Sequence, residues 1–121
     1  MLRRDDGEHE VPSDWREPFR QIIDAFLMGD FQLSDHPIDR VQPISPATAD
    51  AIVKNINTYG AAMSALSAAT WERSVYRWMD DYWLFLVDLT INDEEVSDLT
   101  LHARLHDTSD ARLEIQSVHV P

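Results

Sequence analysis

Apolar positions along this chain follow two periods, and the change falls near Gly60. Before it, Trp15, Phe19, Ile22, Ile23, Phe26 and Leu27 recur at helical spacing on one face. Asp14 with Glu17 three residues on fits a capping box, and Gly29 supplies a stop. A helix is predicted over roughly 15–28, with Pro18 late in its first turn. Ser45-Pro46 reads as a second helix start, and Ala49, Ile52, Val53, Ile56 and Tyr59 form its stripe up to Gly60. Residues 30–44, with Pro37 and Pro43, form a long ordered loop between the two helices.

From Ala62 onward the period is two, which predicts strands near 62–66, 73–79, 82–91, 99–106 and 112–119. Short connections imply a sequential antiparallel meander. The stretch SVYRWMDDYWLFLVDLTI, from Ser74 to Ile91, is its central hairpin, turning at Asp80-Asp81. That turn pairs Trp78 with Trp83 and Tyr76 with Phe85. Continuing the apolar face sets Leu89 opposite Leu101, Phe85 opposite Leu105, Leu105 opposite Leu113 and Ala103 opposite Ile115. The expected fold is α+β: two N-terminal helices packed on one face of a four- to five-stranded antiparallel meander sheet. Residues 1–12 read as a flexible acidic tail and 13–121 as a single domain.

The same register gives the opposite face three rows: Arg73, Asp88, His102, Gln116; then Val75, Leu86, Arg104, Glu114; then Arg77, Leu84, His106, Arg112. Directly opposite residues lie about 5 Å apart, which brings Asp88 to His102 and Arg104 to Glu114. In a catalytic reading Asp88 would orient His102 as an acid or base near Arg73 or Arg104. No nucleophile accompanies them, because Ser74 alternates to the core side. The alternative is a solvated face laced with cross-strand ion pairs. His102 and His106 share a face but sit about 13 Å apart, too far for one ion. The acidic segment Asp93, Glu94, Glu95 to Asp98 lacks the alternating ligands and central Gly of a calcium loop. Neither a metal nor another cofactor is expected.

Charge adds a partner class. The 121 residues carry 22 Asp and Glu against 10 Lys and Arg, a formal net charge of −12. Such a field opposes nucleic acid and anionic membranes and favours basic partners. The acidic loop Asp93, Glu94, Glu95 and Asp98, with the sheet face, is the expected docking surface. Solubility, or adaptation to a salty cytosol, is the competing explanation of the charge. Cys is absent, which removes disulfides and thiol chemistry. No apolar run approaches the roughly 18 residues of a membrane span, and no apolar stretch follows Arg3-Arg4 as in a secretory signal. A cytoplasmic location is expected.

The segments DWREPFRQIIDAFLMGDF, VQPISPATADAI, TWERSVYRWMDDYWLFLVDL and SDLTLHARLHD, in that order, resemble a family of small uncharacterised bacterial α+β proteins. The resemblance spans most of residues 13–121 and implies no activity or site residues. At the level of class, the chain also looks like the small acidic immunity proteins of bacterial toxin systems. Three functions are therefore weighed. The first is a binding protein, of the type that inhibits a basic toxin domain. The second is a small-ligand-binding or hydrolytic protein using the polar sheet face. The third is an accessory subunit that homodimerises through that face.

Overall fold

The computed structural model describes residues 2–60, 62–92 and 94–121. Helix α1 spans Ser13–Leu27 and α2 spans Pro46–Tyr59. Strands β1 (His9–Glu10), β2 (Val75–Trp78), β3 (Tyr82–Asp88), β4 (Thr100–His106) and β5 (Leu113–His119) form one antiparallel sheet in chain order. The predicted α+β meander with N-terminal helices is the fold.

Helix α2 starts and stops for local reasons. The Ser45 hydroxyl accepts the Thr48 N–H at 3.3 Å, Pro46 takes the first helical position, and Gly60 closes α2 at φ 85°. The first residue of α1 differs from expectation. Pro12, not Asp14, precedes the helix, and no side chain caps it. Further in, Pro18 has no N–H to offer the Asp14 carbonyl. Arg40, from the loop between the helices, donates its Nη2 to that oxygen at 2.7 Å. Its guanidinium also lies 4.2 Å from the Trp15 ring centre.

The helices cover one sheet face. Phe19 and Trp15 of α1 meet Phe85 of β3, with ring centroids 5.4 and 6.0 Å apart. Asn55 of α2 donates to the Val118 carbonyl of β5 at 3.0 Å. Tyr76, Trp83, Phe85, Val87, Leu101, Ala103, Leu105, Leu113 and Ile115 all face inward and are buried.

Three further expectations change. The strand predicted at 62–66 is not one: Met63 makes a single bridge to Ile91, and a short 3₁₀ helix, Ala68–Glu72, follows. The Ser67 hydroxyl accepts the Ala69 N–H there, and the Ser67 N–H goes to the Thr90 side chain instead of a ladder. The fifth strand comes from the N-terminus, where a charged tail was expected. Leu2 and Val11 are buried, and residues between them fold over the outer edge of β2.

Register is the third. β2–β3 pairing is as predicted, through Trp78–Trp83 and Tyr76–Phe85. Asp80 turns that hairpin at φ 75°. β4–β5 pairing agrees from Leu105–Leu113 to Ala103–Ile115. β3–β4 pairing is slid by two residues: Val87, not Leu89, opposes Leu101, and Ala103, not Leu105, opposes Phe85. Leu89 has already left the strand, exchanging hydrogen bonds with Leu99 and Ser97. A bulge at His102/Ala103 then brings Ser117, not Gln116, opposite His102 and turns Val118 inward.

Candidate functional site

The polar sheet face holds Asp88 and His102, two titratable groups that the fold perturbs. Its rows are Asp88–Thr100–His119, Val75–Leu86–His102–Ser117 and Arg77–Leu84–Arg104–Glu114, with Tyr82–His106 at the far end. The slip of β4 against β3 dissolves the expected Asp88–His102 pair, and the bulge then changes the β5 partner of His102. Asp88 instead accepts the Thr100 hydroxyl at 3.0 Å, with the Arg73 Nε at 3.7 Å. Burial pushes its carboxyl above the ordinary value. Thr100 and Arg73 pull it down, and the neighbouring Asp98 charge adds to the rise. Its backbone is held as well: the Ser74 hydroxyl accepts the Asp88 N–H at 3.1 Å, and the Thr70 hydroxyl donates to its carbonyl.

His102 stacks on His119, with ring centroids 4.3 Å apart and planes at 17°. Burial, then the His119 charge, holds the His102 imidazole below its ordinary pKa. Its Nε2 is buried and has no hydrogen-bond partner among the described residues. Arg77 Nε is in the same condition. Arg104 does oppose Glu114, yet its guanidinium sits 4.7 Å from the Tyr82 ring centre rather than on the carboxylate. Glu114 accepts Gln116 Nε2 at 2.5 Å and lies 3.8 Å from His106 Nε2. The face thus separates its groups into small local contacts. Asp88 and His102 form no acid–base dyad, and no group of three or more metal-ligating side chains converges among the described residues.

Two clefts lie at the Asp88 end, on either side of Val120. One, of about 360 Å³, is lined by Arg73, Asp88, Asp98 and Thr100. The other, of about 490 Å³, is lined by Asn55, Tyr59, Leu99 and His119.

In the acidic loop, Glu94, Glu95 and Asp98 are exposed, while Asp93 lies outside the described residues. The loop backbone is pinned. Ile91 and Glu94 exchange N–H···O bonds at 2.9 and 3.1 Å, and the Thr90 hydroxyl donates to the Glu95 carbonyl at 2.7 Å. None of the three described carboxylates makes an ion pair among the described residues.

A second acidic surface escapes the sequence reading. Asp24, Asp35 and Asp39 surround a cleft of about 530 Å³ floored by Ala25, Ile38 and Pro37. Met28, 70% exposed, lines it, and Leu27 beside it is 44% exposed. These three carboxylates also lack ion pairs among the described residues. The loop wall is set by Asp30, whose carboxylate accepts the Ser34, Asp35 and His36 N–H groups and contacts His36 Nδ1 at 2.9 Å. Only the short-range polar cluster D-x-x-x-S-D-H in the sequence hints at this nest.

A family described as a domain of unknown function (DUF7668) matches residues 23–121. The chain belongs to this family. The match begins inside α1 and takes in α2 and strands β2 to β5. Neither a curated protein nor a solved structure matches the chain. Among the described residues, no helix is long and apolar enough to cross a membrane.

Proposed function

We propose that this is a cytoplasmic binding protein for a basic partner, an immunity-type inhibitor of a basic toxin domain being the form that suits it best. The observation behind this reading is the surface at the end of α1. Exposed Met28 and an apolar cleft floor sit inside a rim of carboxylates that make no ion pair among the described residues, with exposed Leu27 next to Met28 in the chain. An apolar centre with a charged rim is how protein interfaces combine affinity with steering. The net charge of −12 extends that steering over the whole molecule and weighs against nucleic-acid partners. The pinned loop of Glu94, Glu95 and Asp98 is the second contact surface in this proposal.

The test begins with a partner recovered by co-purification from the native host. Association should slow at least tenfold between low and high salt, since screening shortens the field to about 8 Å near physiological ionic strength. Asp24→Asn with Asp35→Asn and Asp39→Asn should slow association, whereas Met28→Ala should speed dissociation. Neutralising Glu94, Glu95 and Asp98 should slow association to a smaller degree. An acidic partner, or binding indifferent to salt, removes the proposal.

A second reading is supported by the raised Asp88 carboxyl and the two clefts beside it. They suit a small polar ligand more than hydrolysis, because His102 is not paired with Asp88, and the hydroxyl that is, Thr100, is buried.

A further inference from the structure

The strap of residues 2–10 precedes the part of the chain that the family match covers. It nevertheless makes a defined set of contacts on the sheet edge. The Arg3 N–H donates to the Tyr76 hydroxyl at 2.8 Å, and the Trp83 indole N–H donates to the Arg3 carbonyl at 2.9 Å. The Arg4 guanidinium lies 5.0 Å from the Trp83 ring centre and 5.7 Å from that of Trp78. Its Nε and Nη2 reach the two oxygens of Asp107 at 3.2 and 3.0 Å. Two indoles and a bidentate carboxylate are what a guanidinium prefers over an ammonium. Further along, β1 pairs His9 with Tyr76 and Glu10 with Val75 only, so Arg77 and Trp78 have no strand neighbour on that side.

The strap therefore displays how an extended, arginine-bearing segment sits on this edge. We infer that the edge of β2, with its Trp78–Trp83–Asp107 cage, is a docking surface for such a segment of a basic partner, which displaces the strap and takes over its contacts. The choice of occupant rests on the basic-partner reading above. Charge complementarity favours exchange: Arg4 balances Asp107, but Asp80 and Asp81 in the adjoining turn are exposed and make no ion pair among the described residues. The arginine part of that grip is peripheral, since the Arg4 and Asp107 side chains are 50% and 43% exposed. Its advantage is the tether, which sets an effective concentration on the order of millimolar. Backbone pairing beside a side-chain pocket is the usual form of strand addition.

The experiment uses the full chain and a synthetic peptide spanning residues 2–11, with tryptophan fluorescence and amide exchange at Arg77 and Trp78 as readouts. The Arg4→Ala chain should bind this peptide at least tenfold more tightly than the unaltered chain, whose own strap competes. The same peptide carrying the R4A change should bind neither. Leu2→Asp combined with Arg4→Ala serves as the second chain, since Leu2 is the strap's buried apolar anchor. If that chain keeps its circular dichroism and still ignores the peptide, the inference is wrong. Equal binding of a scrambled peptide of the same composition also overturns it, leaving only nonspecific attraction. Either failure leaves the salt dependence of partner association, measured on the unaltered chain, unaffected.

Discussion

Asp88 and His102 are both partly withdrawn from water, with opposite consequences for stability. The folded state holds the Asp88 proton more tightly than the unfolded chain does, because burial raises its carboxyl from 3.8. Its contribution to stability is therefore full at low pH and is lost as pH rises from about 3.8 to the raised value. His102 is the reverse. Burial and His119 lower it from 6.5, so the unfolded chain binds the proton first and stability falls as pH drops below about 6.5. The two windows approach each other from opposite sides, and single variants are required to separate them. Asp88→Asn should flatten the acid-side slope of urea stability against pH. His102→Gln should flatten the slope just below pH 6.5. If the His102→Gln slope matches the unaltered chain there, the imidazole is more hydrated than its stacking implies.

Between elements, the Arg40 guanidinium connects the helix loop to the start of α1. Arg40 holds this position at φ 66°, a left-handed backbone that its own side chain disfavours. Arg40→Ala should cost about 1–2 kcal/mol, from a lost charge-assisted hydrogen bond and a lost stack on Trp15. Arg40→Gly should recover part of that by relieving the backbone. A urea midpoint that does not move for Arg40→Ala would mean that water serves the Asp14 carbonyl equally well. None of this is visible in the sequence, where Pro18 only announces an unpaired carbonyl. Elements with local signals were legible: Ser45-Pro46 and Gly60 bound α2, and the alternation from Tyr76 to Leu105 identifies the buried face. Alternation is blind, however, to a slip of two residues, which returns every side chain to the same face. That blindness put His102, instead of Thr100, opposite Asp88, and with it the expected candidate dyad. The bulge at His102/Ala103 is equally silent, since it depends on how Val118 settles against α2, where its carbonyl accepts from Asn55. The acidic surface at α1 is assembled by a fold-back of Asp35 and Asp39 onto Asp24, which no periodicity reports.

Across the whole molecule, both outer edges of the meander are partly covered. The strap protects β2, and Val41 makes a parallel bridge to Leu113 on β5, with the Leu113 N–H donating to the Arg40 carbonyl at 2.7 Å. The two covers differ in what they demand of the chain during folding. Hairpins β2–β3, β3–β4 and β4–β5 close short loops and pair neighbours in sequence. The strap must bring His9 to Tyr76 across more than half of the chain, for two strand pairs and the few Arg3 and Arg4 contacts in return. Loop closure of that size delays a contact that rewards it so little. The strap should thus be absent from the folding nucleus and act as a latch on the finished protein. In a chevron analysis Arg4→Ala should raise the unfolding limb and leave the refolding limb in place. A slower refolding limb would assign the N-terminus to the nucleus, and a strap that early in folding would not be one a partner could peel away.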